Sequence, residues 1–338
     1  MIRKSKAGPR LPSLPTLLHR KIYKTGQTRG ADDGVIYQNR VSRSSTVLIP
    51  YACWEACAKL QDGEAEYENG FIVLISPSEY FGNLNISAVL AEKGLAIGSN
   101  AVVFYETREQ WNAHNPDELD WIRAKERTEP LGGQYVARIP ATTAMEDNRK
   151  IVRGFDATKK KGAGIRVYEY ASTLTNAQCR YQLEALFWQC ADSVTVALSN
   201  GMTEEDTATR KGAILEVCRG AGLLEKERLT QARILSAEGK TICPLCLEEL
   251  SGQGFFSRMD QAEGREVPDL TVTQLNLFHV AELRVGVLNH RPYNVGWGHH
   301  HCNVVVKDSG ITKTLEWMRD VLNRNSARGH FATGNRAI

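Results

Sequence analysis

The chain has 338 residues, of which 42% are hydrophobic and 24% are charged, and its formal net charge is +3. This length predicts two or three domains, and the composition is that of an ordered globular protein rather than a disordered one. No run approaches the roughly 18 consecutive apolar residues of a membrane-spanning helix, and no apolar segment follows the basic start. We therefore expect a cytoplasmic protein with no membrane partner and no secretory signal.

Basic residues are concentrated at the start of the chain, where residues 1–45 contain ten Lys or Arg and only two acidic residues. Residues 1–19, rich in Pro, Lys and Arg, predict a flexible basic arm. Two following segments are dense in side chains that contact phosphates and base edges in DNA. Their candidate DNA contacts are Lys24, Thr25, Gln27, Arg29, Gln38, Asn39, Arg40 and Arg43. A solvated basic surface is the alternative interpretation of the same residues.

Strand-like apolar runs separated by Gly, Pro and Asn predict a mixed, β-rich domain over residues 20–170. The runs are residues 46–50, 71–75, 101–105 and 135–139. Helical spacing of apolar residues then predicts a helical connector over residues 171–240, with helices at 176–198, from Thr203 to about 220, and at 225–238. The fold class that follows is α+β.

Two cysteine/histidine pairs dominate the last third of the chain. Cys243 and Cys246 form a CxxC pair, and His299 and Cys302 form an HxxC pair. Two such pairs have the spacing of a structural zinc site with four protein ligands. The spacing favours His299, although His300 or His301 could replace it. The other five cysteines lie in apolar stretches and are expected to be buried thiols in a reducing compartment.

Three more residues between and after these pairs are candidates for chemistry. His279 ends an alternating, strand-like segment, and Asn294 and Asn303 follow it 15 and 24 residues later. Alone, His279 would be interpreted as a core histidine with satisfied hydrogen bonds. The order strand, loop, strand and helix, with these polar residues at fixed spacing, instead favours a metal-dependent nuclease.

These residues resemble the HNH, or ββα-metal, endonuclease family, and the resemblance covers about residues 241–310. It implies that His279 is the general base, that Asn294 pins the loop and that Asn303 binds a catalytic Mg²⁺. It also implies that a structural Zn²⁺ is held by Cys243, Cys246, His299 and Cys302, in a nuclease domain over residues 241–325. Many members carry a metal ligand directly before the base, where this chain has Phe278; Asn276, His290 or water could complete the shell.

Residues 289–303 are especially similar to HNH subunits of bacterial type II restriction enzymes, and His290 and Arg291 are further candidates for DNA contact. Residues 21–26 and 40–45 resemble restriction enzymes of BstXI type, which read an interrupted palindrome. The resemblance implies a homodimer in the bacterial cytoplasm that cuts double-stranded DNA, with a cognate DNA methyltransferase in the same system. The alternatives are a zinc-stabilised DNA-binding regulator without catalysis and a homing or repair HNH nuclease.

Overall fold

The structure is a computed structural model that describes residues 11–23, 36, 41–58, 67–141, 149–155, 163–258, 273–307 and 309–330. The chain is mixed α+β and forms two compact units. The sheet unit comprises Gly26–Asn176 and Arg284–Leu288, and the cluster unit comprises Met1–Thr25, Ala177–Leu283 and Asn289–Ile338. No helix in these described ranges is both long and apolar enough to cross a bilayer.

A six-stranded sheet with strand order β5-β4-β3-β2-β1-β6 organises the sheet unit. All neighbouring strands are parallel except β5, which is antiparallel to β4. A parallel sheet is covered on both faces, so its strands are continuous apolar runs, and every residue of β3 is buried. The four predicted strands are confirmed. The strands are β1 (Val47–Pro50), β2 (Phe71–Ile75), β3 (Ala101–Tyr105), β4 (Tyr135–Ile139), β5 (Ile151–Arg153) and β6 (Ile165–Arg166).

The described residues between these strands form the short helices α2 (Trp54–Ala58), α3 (Pro77–Phe81), α4 (Ile86–Glu92) and α5 (Arg108–Ala113). Two of them begin with a capping box, in which the Ser76 and Thr107 side chains accept hydrogen bonds from the backbone of the third helical residue. The sequence did not predict these helices, because five to seven residues are too few to display a helical period.

In its described residues the cluster unit is mainly helical, and β7 (Leu275–His279) pairs antiparallel with β8 (Val295–His299). In its core, the ring of Phe255 packs edge-on against Phe187 and Trp297, with centroids 5.3 Å and 4.8 Å apart. The indole Nε1 of Trp297 donates to the Leu183 carbonyl at 2.8 Å, which fixes β8 against a helix. The helices are α1 (Thr16–Tyr23), α6 (Thr173–Trp188, in this unit from Ala177), α7 (Ser193–Ser199), α8 (Glu204–Gly220), α9 (Lys226–Gln231), α10 (His300–Val306) and α11 (Ile311–Ala327).

Two predicted helices are shorter in the structure. The helix expected over residues 176–198 is divided into α6 and α7, and the intervening Asp192 accepts hydrogen bonds from Ser251 Oγ and Gly252 N at 2.5 Å and 2.6 Å. The helix expected over residues 225–238 ends at Gln231, because Arg233 has a φ of 60° that helical backbone does not allow. By contrast, α8 begins after Thr203 as predicted, and the Thr203 side chain caps it.

The prediction of a flexible arm over residues 1–19 is wrong for its described part. Leu18 and Ile22 lie four residues apart on one face of α1, and together with Leu14, just before the helix, they are buried in the core of the cluster unit. The Pro- and Lys-rich composition concealed this apolar spacing. Residues 1–10 lie outside the described residues.

A buried ion pair ties α1 to the helices beneath it. Glu184 on α6 accepts two hydrogen bonds from Arg210 on α8, at 2.6 Å and 2.9 Å, and one from Tyr23 Oη at 2.5 Å. Arg210 also donates to the Pro12 carbonyl. Burial, together with the neighbouring Glu184 carboxylate, raises the pKa of Tyr23, so its hydroxyl stays protonated and donates.

We predict that Arg210→Ala lowers the free energy of unfolding by about 3–5 kcal/mol, because it leaves the fully buried Glu184 carboxylate without its charge partner. Urea denaturation followed by tryptophan fluorescence measures this change. Lys313→Ala is the matched control, since it removes an exposed pair with Glu282 and should cost at most about 1 kcal/mol. Equal losses in the two variants would contradict the role given to the buried pair.

Candidate metal centre and active site

Four side chains form a Cys₃His cluster in the cluster unit. The ligand atoms of Cys243, Cys246, His299 and Cys302 all lie within 4.8 Å of one another. Two sulfur ligands of one tetrahedral zinc ion are separated by about 3.8 Å, a value that follows from Zn–S bonds of about 2.3 Å. The donor types and their spacing therefore fit a single bound metal ion.

Local backbone structure holds each pair of ligands. Cys243 N donates to the Glu248 carbonyl at 2.9 Å and Leu247 N donates to the Cys243 carbonyl at 2.8 Å, which closes a tight turn around the CxxC pair. Leu247 has a φ of 65°, so this turn requires a left-handed residue. His299 is the last residue of β8, and Cys302 lies in the first turn of α10. The junction of β8 and α10 thus places His299 and Cys302 next to the CxxC pair.

Burial governs the protonation of the cluster side chains. Burial and the neighbouring thiols Cys243 and Cys246 raise the pKa of Cys302, and burial raises the pKa of Cys246. Crowded thiols of this kind ionise when a metal ion binds them. Burial and the nearby His301 lower the pKa of His299, which favours the neutral imidazole that binds metal.

The three consecutive histidines are distinguished by their positions. His299 Nδ1 lies 3.3 Å from Cys246 Sγ, inside the cluster. His300 Nδ1 lies 2.8 Å from the Asn276 amide nitrogen, and His301 is exposed and stacks on His299. The geometry therefore favours His299 over its two neighbours as the fourth ligand.

Asn294 closes the loop that joins β7 to β8. Its Oδ1 accepts from Ala281 N at 2.7 Å, and its Nδ2 donates to the Asn289 carbonyl at 2.6 Å. Its backbone carbonyl accepts from Val280 N at 3.0 Å. One buried amide thus holds the segment directly after His279 and the segment directly before His290.

His279 and His290 face one another across this loop. His279 Nε2 lies 3.0 Å from His290 Nδ1, and the ring centroids are 5.3 Å apart. His279 is half-buried at the end of β7, whereas His290 is only 2% exposed. The ring of His290 lies beneath the surface, which argues against a contact with DNA phosphate in this conformation. Arg291 is exposed, and its DNA contact stays a prediction.

Asn276 makes contacts that argue against its role as a further metal ligand. Lys21 Nζ lies 2.7 Å from the Leu275 carbonyl and 3.4 Å from Asn276 Oδ1, the one oxygen of the side chain that could bind a cation. An ammonium group repels a divalent cation at this distance. Asn276 Nδ2 also donates to the Thr273 carbonyl at 3.2 Å. This contact could not be predicted from sequence spacing, because Lys21 and Asn276 are 255 residues apart.

Asn303 lies on α10 and is half-buried, and α10 packs against both β7 and β8. Phe278, at the position where many HNH proteins have a ligand, is fully buried against Gly298. A Cβ at Gly298 would lie 2.5 Å from the Phe278 ring, so the close approach of the two strands requires glycine there. Of the side chains considered as ligands of a catalytic cation, Asn303 therefore stays a candidate.

Most of the predicted DNA contacts cannot be placed. Lys24, Thr25, Gln27, Arg29, Gln38, Asn39 and Arg40 lie outside the described residues. Arg43 is described and is 5% exposed, and its Nη1 donates to the Glu169 carbonyl at 3.1 Å. This packing inside the sheet unit argues against a DNA contact in this conformation, and the contact stays a prediction.

Comparison with known proteins identifies the family. The sequence profile of the BstXI restriction endonuclease family matches residues 20–300, so the chain belongs to this family. No curated protein matches the chain. A solved structure described as "Crystal structure of a type II restriction endonuclease" is similar over 46% of this chain and 57% of that chain, with 16% identity and a TM-score of 0.29. The chain thus spans little more than half of that protein, and a likeness this weak carries no inference about fold.

We predict that Cys243→Ala abolishes metal binding at the Cys₃His cluster, because a site with three remaining ligands loses its closed tetrahedral shell. Metal content of the purified variant, measured by mass spectrometry, should fall from one ion per chain to near zero, and the thermal midpoint should fall with it. Cys218→Ala is the matched control, since it also removes a fully buried thiol of the cluster unit but lies outside the cluster. Full metal content in Cys243→Ala would contradict the assignment.

Proposed function

We propose that this protein is a type II restriction endonuclease that hydrolyses phosphodiester bonds in double-stranded DNA at a specific site. In this proposal β7, β8 and α10 form an HNH ββα-metal unit with His279 as the general base. The observation that carries it is the closure of the β7–β8 loop by Asn294, which lies 15 residues after His279 and nine residues before Asn303, and which accepts a hydrogen bond from the backbone of Ala281. Membership of the BstXI family supports the choice of a restriction enzyme over other nucleases.

The chemistry assigned to His279 follows from its type and position. The half-exposed imidazole at the end of β7 can take a proton from a water molecule at neutral pH. The water oxygen then forms a bond to phosphorus as the bond from phosphorus to the 3′ oxygen breaks. The products are a 5′-phosphate and a 3′-hydroxyl, the latter after the leaving oxygen gains a proton. Asn294 holds the loop and does not touch the reacting atoms in this scheme.

The catalytic cation is Mg²⁺ in this proposal, and Asn303 would hold it together with DNA phosphate oxygens and water. A neutral amide oxygen suits a hard cation that keeps most of its water ligands. When bound, the ion would supply stabilisation of the negative charge that grows on the phosphate and on the departing oxygen. The described residues contain no second group of three or more His, Cys, Asp or Glu ligands that could serve as the catalytic site instead.

The ion of the Cys₃His cluster is Zn²⁺ in this proposal. Three thiolates and one imidazole are soft and borderline donors that favour zinc over magnesium or calcium. Because four protein ligands leave no position open for water or substrate, the ion would be structural. Its role is to fix the start of α10, and hence Asn303, relative to the CxxC turn.

DNA recognition is assigned to residues 20–170, with the basic segment 24–43 as the first contact. Residues 171–240 would support the nuclease domain at 241–325, since from Ala177 onward they belong to the same compact unit as the Cys₃His cluster. A palindromic site would call for a two-fold homodimer, so that each active site faces one strand. A cognate methyltransferase would protect the host DNA. The rival functions are a zinc-stabilised DNA-binding regulator and a homing or repair nuclease.

We predict that His279→Ala binds DNA with unchanged affinity but cleaves it about 10²- to 10⁴-fold more slowly, the usual contribution of a general base. Cleavage of phage DNA with Mg²⁺ measures the rate, and gel shift with Ca²⁺ in place of Mg²⁺ measures binding. His330→Ala is the control, since it removes an exposed imidazole at the end of α11 and should cleave normally.

The same assay separates the rival functions. Discrete fragments with a common end sequence indicate a restriction enzyme, whereas a single rare cut would favour a homing enzyme. Binding without cleavage by the wild-type chain, with Mg²⁺ or Mn²⁺, would favour the regulator. Wild-type cleavage by His279→Ala would contradict the base assignment.

A further inference from the structure

We propose that His290 is a positioning residue for the base: its Nδ1 accepts a hydrogen bond from the Nε2–H group of His279, so that His279 Nδ1 is the atom that takes the proton from water. This inference rests on the proposed function, in which His279 is the general base. The inference specifies which nitrogen of His279 takes the proton, and it names the His290 imidazole as the group that determines this.

The two imidazoles have the geometry of a direct hydrogen bond. The separation of 3.0 Å between His279 Nε2 and His290 Nδ1 is the usual length for such a bond between nitrogen atoms. The ring planes are inclined at 57°, so the contact is made through ring nitrogens and not by face-to-face stacking. The half-buried ring of His279 thus rests on a ring that solvent does not reach.

Only one of the two hydrogen-bonded arrangements leaves a base. A neutral imidazole has one N–H group and one nitrogen with a lone pair. If His290 donated to His279, the lone pair of His279 would lie on Nε2 and would already be used by that bond. If His279 donates from Nε2–H, its lone pair lies on Nδ1, where it can take a proton.

The loop that holds His290 is fixed on both sides. Asn294 Nδ2 donates to the Asn289 carbonyl at 2.6 Å, and Arg291 N donates to the same carbonyl at 3.1 Å. The Asn289 side chain donates to the Glu282 carbonyl. Because Asn294 also binds the backbone of Ala281, two residues after His279, one amide sets the distance between the two rings. The loop therefore presents His290 to His279 without relying on flexible contacts.

This arrangement favours the transition state over the ground state. As His279 Nδ1 takes a proton, its ring becomes cationic and its Nε2–H bond to neutral His290 becomes a charge-assisted hydrogen bond, which is stronger. His290 gains no proton and loses none in this step. It orients the ring and stabilises the imidazolium, as an acceptor behind a catalytic histidine does in general.

The same separation would also fit two ligands of one cation, because cis nitrogen ligands at about 2.1 Å from a metal are about 3 Å apart. Mg²⁺ prefers oxygen ligands and sheds water reluctantly, so a paired-imidazole site suits it poorly. The contact between the rings is therefore assigned to a proton and not to a shared metal ion.

We predict that His290→Ala lowers the single-turnover cleavage rate by about 10- to 100-fold while DNA binding in Ca²⁺ stays close to wild type. Because His290 is 2% exposed, the truncation also lowers the thermal midpoint, so the comparison of His290→Asn with His290→Gln carries the test. His290→Asn should recover most of the lost rate, because the asparagine amide occupies the place of Nδ1. His290→Gln should not recover it, because the glutamine amide corresponds to Nε2. This difference separates a hydrogen bond to His279 from a general requirement for a polar side chain. Equal rates in the Asn and Gln variants would overturn the inference.

The metal alternative is tested by repeating the His290→Ala assay at increasing Mg²⁺ and with Mn²⁺. A rate loss that persists at saturating cation supports the hydrogen bond. Recovery of the wild-type rate at high cation concentration would show that His290 acts on the metal, and would overturn the inference. In the wild-type chain, imidazole ¹⁵N NMR at neutral pH should find the His279 proton on Nε2; a proton on Nδ1 would also overturn it.

The outcomes distinguish this inference from the proposed function. If His279→Ala is inactive while His290→Ala cleaves like wild type, the base assignment stands and the role of His290 is wrong. If His279→Ala cleaves like wild type, the base assignment fails and the role of His290 fails with it.

Discussion

The convergence of four metal-binding side chains is the constraint on which the rest of the candidate site depends. Cys246 and His299 are 53 residues apart in sequence, yet their ligand atoms lie 3.3 Å apart. A shared ion at this point would cross-link the CxxC turn to the junction of β8 and α10. Because metal binding of this kind contributes directly to folding, the same ion would stabilise the strand pair and fix the helix that carries Asn303.

The β7–β8 strand pair determines where His279 and His290 lie relative to the cluster. Leu275 is paired with His299 at one end of the ladder, and His279 is paired with Val295 at the other. His299 in the cluster and His279 are therefore separated by four strand steps, or roughly 14 Å. Asn294 begins the return from the loop, so its position is set by β8, and its amide in turn fixes the loop around His279 and His290.

The spacing of residues in the sequence predicted the metal cluster better than it predicted burial or strand order. CxxC and HxxC place two ligands on one turn or at one helix start, so the cluster of Cys243, Cys246, His299 and Cys302 could be read from sequence. Burial could not, because it depends on tertiary packing: both His290 and Arg43 were expected to contact DNA, and both are buried. The four central strands were predictable as continuous apolar runs, but their parallel order was not, since strand pairing leaves no mark in a single sequence.

X-ray absorption spectroscopy of the purified protein is the decisive measurement on the Cys₃His cluster. The expected result is one zinc ion per chain with three sulfur ligands at about 2.3 Å and one nitrogen ligand at about 2.0–2.1 Å. A metal shell of oxygen and nitrogen alone, or a folded and active chain that contains no metal at this site, would contradict it.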